Sequence, residues 1–389
     1  MDLTVIGLIS GTSYDAVDAA VADLSLAGDE IVCRPRGLYS EELPDELRAR
    51  IAAALPPHAT TLEEVCRLDT ELGRLFGSVA EAANERLAGG AADLVVSHGQ
   101  TVFHWVDGAH ALGTLQLGGA AWIAAATGVA TVTDLRARDI TRGGHGAPLA
   151  STMDALLVLA DDVRRGCLNL GGISNITVRD VAGEVIAYDI GPASALMDSA
   201  VVTATGGAQR MDTDGELAAR GTVHNGLLDR LLAEPYYRLP PPKSTGKELF
   251  HAGYVRNAVG ELAIGTEDLL ATLTELTARL VADACRAHGL VELVVAGGGV
   301  RNPTLMARIA ALSAPTRLRG IEEFGLPSQG KEAYLMALLG YLSVHGLPGT
   351  IPSATGARTG SILGSFTPGA GPLRLPEPAT VAPRRMRVA

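Results

Sequence analysis

The sequence is poor in aromatic side chains and cysteine, and it has no long apolar run. Aromatics make up 4% of 389 residues and hydrophobic residues 47%. Any core must therefore be built from Ala, Val, Leu and Ile, residues that suit buried parallel strands and their covering helices. Basic charge is also scarce: the net charge is −11, and no basic stripe interleaved with aromatics appears, which excludes a nucleic-acid footprint. Cys33, Cys66, Cys167 and Cys285 are scattered without a CxxC pair. They read as small buried hydrophobes in a reducing compartment, not as a zinc or disulfide framework. No apolar run reaches the roughly eighteen residues of a membrane span; residues 120–132 come nearest and are broken by Thr and Gly. The N-terminus lacks the basic start and apolar core of a signal peptide, so a soluble cytoplasmic protein without a membrane partner is expected.

Small residues at strand ends are what the sequence does have. Residues 3–9 and 17–24 are apolar runs flanking Ser10-Gly11-Thr12-Ser13, which reads as a β-hairpin with a tip of minimal bulk. Such a tip lets backbone N–H groups and hydroxyls close round a phosphate. Asp15 and Asp18 follow at once, carboxylates of the kind that place Mg²⁺ beside phosphates. An ordinary turn with solvated acids is the rival for this stretch alone. The pattern recurs at 167–178, with Gly171, Gly172 and Asn175 at the bend, and a further strand then delivers Asp189 into Gly191-Pro192. Two such hairpins suggest an internal duplication. A third cluster, Gly297-Gly298-Gly299, joins a strand to an Asn-Pro helix start, placing N–H groups where an anionic or nucleotide ligand would sit.

Helical periodicity marks 44–55, 61–87, 151–159, 193–205, 214–232, 266–288 and 331–345, with Thr61 and Glu64 as a capping box. Short apolar strands interrupt these helices, so the fold class is α/β with mostly parallel central strands. Length allows two domains, expected at 1–135 and 136–366, with 367–389 as a loose Pro-rich tail.

Polar residues also collect after buried strands, where ligand groups gather in open α/β sheets. Ser97, His98, Gln100 and Thr101 form one such set; Asp134, Arg136, Arg138 and Asp139 form another. An Arg fork reads sugar oxygens, although Asp–Arg bracing is the commoner role. The spacing of His98 and His104 matches no zinc pattern. Glu332 falls in the first turn of a helix, where capping rivals catalysis. Lys243-Ser244-Thr245-Gly246-Lys247 imitates the end of a P-loop, but Pro241 stands where that motif needs Gly and prolines replace the preceding strand, so a P-loop is rejected.

Taken in order, SGTSYDAVD, SHGQTVFH, DLRARDITRGGHGAPL, NLGGISNIT, YDIGPASALMD, PPKSTGKELF, AGGGVRNPTLM, KEAYLMALL and a late TGA resemble the anhydro-N-acetylmuramic acid kinase family of the sugar kinase, Hsp70 and actin superfamily. The resemblance runs from about residue 3 to 365. It implies two actin-like, ribonuclease H-like domains around an ATP cleft, with ATP and Mg²⁺ as cofactors and a homodimer. The implied reaction opens the 1,6-anhydro bridge with water and phosphorylates O6, giving N-acetylmuramic acid 6-phosphate in peptidoglycan recycling. Carried over, Gly11, Thr12, Ser13, Tyr14, Asp15, Ala16, Val17 and Asp18 hold the ATP phosphates, with Asp15 toward the metal. Gly171, Gly172, Asn175 and Gly297–Gly299 complete the nucleotide site. Asp189 matches the base that activates water, Glu332 a second acid at the sugar end, and Arg136, with Ser97, His98, Gln100 and Thr101, the sugar contacts.

The sequence departs from the family pattern at Tyr14 (usually Leu), Leu135 (Phe), His145 (Gln) and Ala193-Ser194 (Gly-Asn). Another anhydro sugar such as levoglucosan, or an actin-like ATPase switch, are the alternatives.

Overall fold

The computed structural model describes residues 2–389 except 12, 13, 109, 242, 247 and 248. Thr12 and Ser13, expected at the phosphate turn, thus lie outside the described residues. The chain forms two compact units, 1–160 with 324–389, and 161–323.

The first unit opens with an antiparallel meander: β1 (Leu3–Ile9), β2 (Ala16–Ala27) and β3 (Glu30–Glu42). Helices α1 (Asp45–Ala54) and α2 (Leu62–Ala88) follow. The Thr61 hydroxyl accepts the Glu64 N–H at 3.1 Å, the expected cap. Next come β4 (Leu94–Ser97), a separate hairpin of β5 (Gln100–Asp107) and β6 (His110–Leu117), helix α3 (Ala120–Thr127), β7 (Thr131–Thr133), and helices α4 (Ala137–Ile140) and α5 (Ala150–Leu157).

The second unit runs β8 (Arg165–Leu170), β9 (Ile173–Arg179), β10 (Val185–Pro192), α6 (Ser194–Ala204), α7 (Glu216–Arg220), α8 (Asn225–Leu232), α9 (Ala252–Val259), α10 (Thr266–Ala287), β11 (Glu292–Ala296), α11 (Pro303–Ser313) and β12 (Arg317–Gly320). The chain then returns to the first unit as α12 (Lys331–Val344), α13 (Pro352–Thr355), β13 (Ser365–Thr367) and β14 (Arg385–Val388).

The two sheets share a plan. In the first unit the strand order contains β3-β2-β1-β4-β7; in the second it is β10-β9-β8-β11-β12. In both, the first three strands are antiparallel and the later pairings parallel. This repeated ribonuclease H-like order bears out the α/β class and the duplication read from the two hairpins. Each unit has its own core, one around Leu68, Leu72 and Phe76 and the other around Phe250, Leu276 and Val281.

Helix α12 lies against β1 and β4. A Cβ on Gly7 would fall 2.0 Å from the Ala333 carbonyl oxygen, and one on Gly340 would fall 2.1 Å from Val96. Glycine on each partner lets backbone and helix approach at distances no other residue permits.

Four expectations need correction. Cys66, read as buried with the other cysteines, is exposed on α2. The division at 135/136 falls inside the first unit, because α5 and the returning segment from 324 pack there. The helix expected over 214–232 breaks at Gly221, which is extended; a Cβ there would meet the Glu267 carbonyl oxygen at 2.1 Å. The tail is not loose at its end: β14 pairs in parallel with β3, and Met386 alternates inward between two arginines.

Candidate functional site

In the first unit, the β1–β2 turn presents Gly11, Tyr14 and Asp15. Tyr14 takes the left-handed conformation (φ 44°), a costly state for a bulky residue, and donates its N–H to the Gly11 carbonyl at 3.1 Å. Asp15 is largely exposed and accepts from Arg48 at 2.6 Å. Asp18 is on β2 opposite Ile9 and accepts from the Ser40 hydroxyl at 2.6 Å. Ala16 and Val17 begin the strand between them, Val17 turned into the core. Among the described residues no cluster of three His, Cys, Asp or Glu side chains could hold a metal. Magnesium needs no such cage, since one or two carboxylates with phosphate and water suffice. The hard oxygen donors of Asp15 and Asp18 fit that requirement.

Ser97 closes β4, and its hydroxyl accepts the Gly99 N–H at 3.2 Å. His98 is buried. Its Nε2 accepts from Arg136 Nε at 2.8 Å, and its Nδ1 lies 3.0 Å from the Gly99 carbonyl. A guanidinium only donates, so Nδ1 carries the ring proton and donates to Gly99. Burial, then the Arg136 charge, push the imidazole pKa down to about 3, leaving His98 a neutral prop. Arg136 also donates to the Gly146 carbonyl at 2.7 Å. Burial lowers its pKa to about 10, with Glu332 opposing, so it stays cationic at neutral pH. Gln100 is buried, and its Oε1 has no partner among the described residues. Thr101 accepts from Gln116 at 3.1 Å. Asp139 does not brace an arginine; it accepts the Gly146 N–H at 2.8 Å and the Thr355 hydroxyl at 3.0 Å, fixing the loop beneath Arg136.

Glu332 occupies the first turn of α12 and is exposed by area. Desolvation raises its carboxyl pKa, Lys331 and Arg136 oppose the rise, and Asp18 adds to it. Neighbouring Lys331 points inward to Asp154 on α5 at 2.5 Å, a buried ion pair.

In the second unit, Asn175 and Asp189 are register partners on β9 and β10. The Gly171 and Gly172 carbonyls accept N–H groups of residues 193–195 at 2.9–3.1 Å, so the turn caps α6. The ladder shifts between Asp189 and Gly191, a bulge that re-aims the strand end. The Thr245 N–H donates to Asp189 Oδ2 at 2.9 Å, and the Asp189 N–H donates to the Lys243 carbonyl at 3.1 Å.

The glycine run departs from expectation. Gly298 and Gly299 lie in a 3₁₀ turn, and α11 starts later at Pro303 with its own cap from the Asn302 side chain. These glycines therefore do not form an α-helix N-terminus. Gly297 (φ 93°) and Gly299 instead allow close approach to the end of β8: added Cβ atoms would meet Asn169 Oδ1 at 2.5 Å and Leu170 Cβ at 2.6 Å.

Sequence reasoning missed Lys243, Thr245 and the Lys331–Asp154 pair. The first two lie in the KSTG stretch, whose polar and small residues after a run of prolines mark it out in the sequence.

The class of protein is fixed by the sequence match: the matching family is one of sugar kinases. The chain is a member of the anhydro-N-acetylmuramic acid kinase family, whose sequence model matches residues 3–369. The enzyme of that name from Streptomyces avermitilis is 55% identical over 385 residues, 99% of each chain. The Streptomyces coelicolor enzyme is 55% identical over 387 residues, again 99% of each. Among solved structures, a xylulose kinase from Rhodospirillum rubrum superposes at a TM-score of 0.44 with 14% identity, over 87% of this chain and 90% of that one.

Proposed function

We propose that the protein opens the 1,6-anhydro bridge of anhydro-N-acetylmuramic acid with water and transfers the γ-phosphoryl group of ATP to O6. The product is N-acetylmuramic acid 6-phosphate, formed in the cytoplasm by a homodimer during peptidoglycan recycling. The observation that carries the reading is Asp189: a carboxylate at a strand-end bulge, oriented by a backbone N–H, in a chain of this family.

The bridge oxygen has no proton to remove. O6 becomes a nucleophile only as its bond to C1 breaks, so the proton to be taken belongs to the water attacking C1. Asp189 takes that proton, water oxygen bonds to C1, and the electron pair of the C1–O6 bond moves to O6, which bonds to the γ-phosphorus as ADP leaves. Phosphoryl transfer itself depends on positioning and charge neutralisation. Residues Gly11–Asp18 and the turn of Gly171, Gly172 and Asn175 hold the phosphates, and Gly297–Gly299 face the nucleoside. Mg²⁺, held by Asp15, would neutralise charge on the phosphates. Arg136, propped by His98, reads the sugar oxygens beside Ser97, Gln100 and Thr101, and Glu332 orients the water.

The test is ADP release with Mg-ATP and anhydro-N-acetylmuramic acid, levoglucosan or no sugar. Turnover only with the muramic compound is expected. Asp189→Asn should lose about 10²–10⁴ in kcat, the contribution of a general base, while still binding ATP. Equal ADP in all three arms, or near-full turnover by the variant, would overturn the reading.

A further inference from the structure

Asp189 is held by a loop as well as by its own sheet. The bulge between Asp189 and Gly191 takes the strand out of register there, and Tyr236, Lys243 and Thr245 fill in. The Asp189 N–H donates to the Lys243 carbonyl at 3.1 Å, the Asp189 carbonyl accepts from the Tyr236 hydroxyl at 2.8 Å, and Oδ2 accepts from the Thr245 N–H at 2.9 Å. Both main-chain polar groups and one carboxylate oxygen of Asp189 are thus tied to a single strap.

The strap has its own anchor. The Lys243 ammonium donates to the carbonyls of Tyr236 and Tyr237, each at 3.2 Å, and lies 4.7 Å above the Tyr236 ring and 5.7 Å above that of Tyr188. Tyr237 in turn stacks on buried Phe250 with rings 4° apart, and its ring occupies the space a Cβ on Gly191 would need. The cation therefore closes the strap on itself beside the carboxylate.

We propose that Lys243 and Thr245 are positioning residues for Asp189, the lysine side chain locking the strap and the Thr245 N–H fixing the carboxylate through Oδ2. The inference rests on the reading of Asp189 as the base. An N–H bonded to an ionised carboxylate favours that form and sets its rotamer. Among the described residues the Tyr236 phenol also faces Asp189, donating to its carbonyl, and Tyr188, one residue before it, is engaged with His288 at 2.8 Å. Lys243 is a cation near it; burial lowers the lysine pKa and Asp189 opposes that shift.

The experiment measures kcat and KM against pH for the full chain with Mg-ATP and the anhydro sugar. Thr245→Pro deletes the N–H, whereas Thr245→Ala keeps it. Thr245→Pro should lower kcat at neutral pH about ten-fold or more, the worth of a hydrogen bond to a charged group, with KM for ATP held and the acid limb moved to higher pH. Thr245→Ala should keep the wild-type acid limb. Lys243→Met should move the limb in the same direction, and Lys243→Arg should restore part of the loss. A wild-type limb in Thr245→Pro, or an equal shift in Thr245→Ala, overturns the proposal. Should Thr245→Pro fail to fold, a wild-type limb in Lys243→Met overturns it instead. Asp189→Asn separates the two readings: if it keeps turnover, the base is elsewhere; if it is inactive while the strap variants keep their limb, only the positioning role falls.

Discussion

Arg136 donates its Nε–H to Nε2 of His98 at 2.8 Å, and that bond fixes the charge state of both side chains. The ring cannot accept from the guanidinium and carry a proton on the same nitrogen, so the arginine holds the charge and the histidine serves it. A cation on so firm a mount suits recognition of sugar oxygens, where a small displacement is expensive.

Burial of the His98 ring, with the Arg136 charge second, makes stability depend on acid. Folding lowers the His98 pKa from 6.5 to about 3, so below pH 6.5 the unfolded chain binds a proton that the folded chain refuses. The stabilisation is present above that pH and is lost as pH falls toward the folded value. His98→Gln lacks this titration, so its urea midpoint should fall less than that of the wild type between about pH 7 and about pH 4. An unchanged acid slope would show that another group carries it.

Lys331 and Asp154 form a buried pair at 2.5 Å at the start of α12. Removing one partner strands the other charge, at a cost of about 3–5 kcal/mol. Lys331→Met should show that loss in denaturant unfolding, and Lys331→Met with Asp154→Leu should recover most of it. If the double variant is no better than the single, the pair is not the source.

Gly7→Ala should destabilise by about 3 kcal/mol or more, the upper range for overpacking, because its Cβ would meet α12 backbone at 2.0 and 2.5 Å. Activity should fall with it, since that helix carries Glu332. Gly371→Ala, with nothing within 4 Å, is the control and should match the wild type in unfolding.

What the sequence made legible was local. The hairpin of β1 and β2, the Thr61 cap and α12 each announce themselves through alternation, a capping hydroxyl or a period within one window. Strand β3 does not: Pro35 and Arg36 interrupt its pattern, and only the bulge opposite Val21 and Ala22 shows how the ladder absorbs Arg36. The β5–β6 hairpin was hidden because Phe103, Trp105, Leu112 and Leu115 face outward, so its apolar pattern marks no core. The site followed the same rule. Asp189 and Asn175 could be placed on neighbouring strands, but no spacing joins Thr245 to Asp189 or Lys331 to Asp154; the tertiary fold alone brings them together. Ala193 and Ser194, which depart from the family pattern, donate their main-chain N–H groups to the Gly172 and Gly171 carbonyls, a role indifferent to the side chain.

The interrupted first unit also sets a timetable for synthesis. Residues 161–323 are contiguous, while 1–160 wait for 324–389. Strands β1 and β4 leave the ribosome long before the helix that docks on Gly7. At about 5–20 residues per second, the delay between Ser97 and Lys331 is on the order of 10–50 s. Through that interval the nascent chain carries a sheet face cut to a helix that has not yet been made. The second unit is the first part of the molecule whose whole sequence is available to fold, and the first unit, although translated earlier, is completed last.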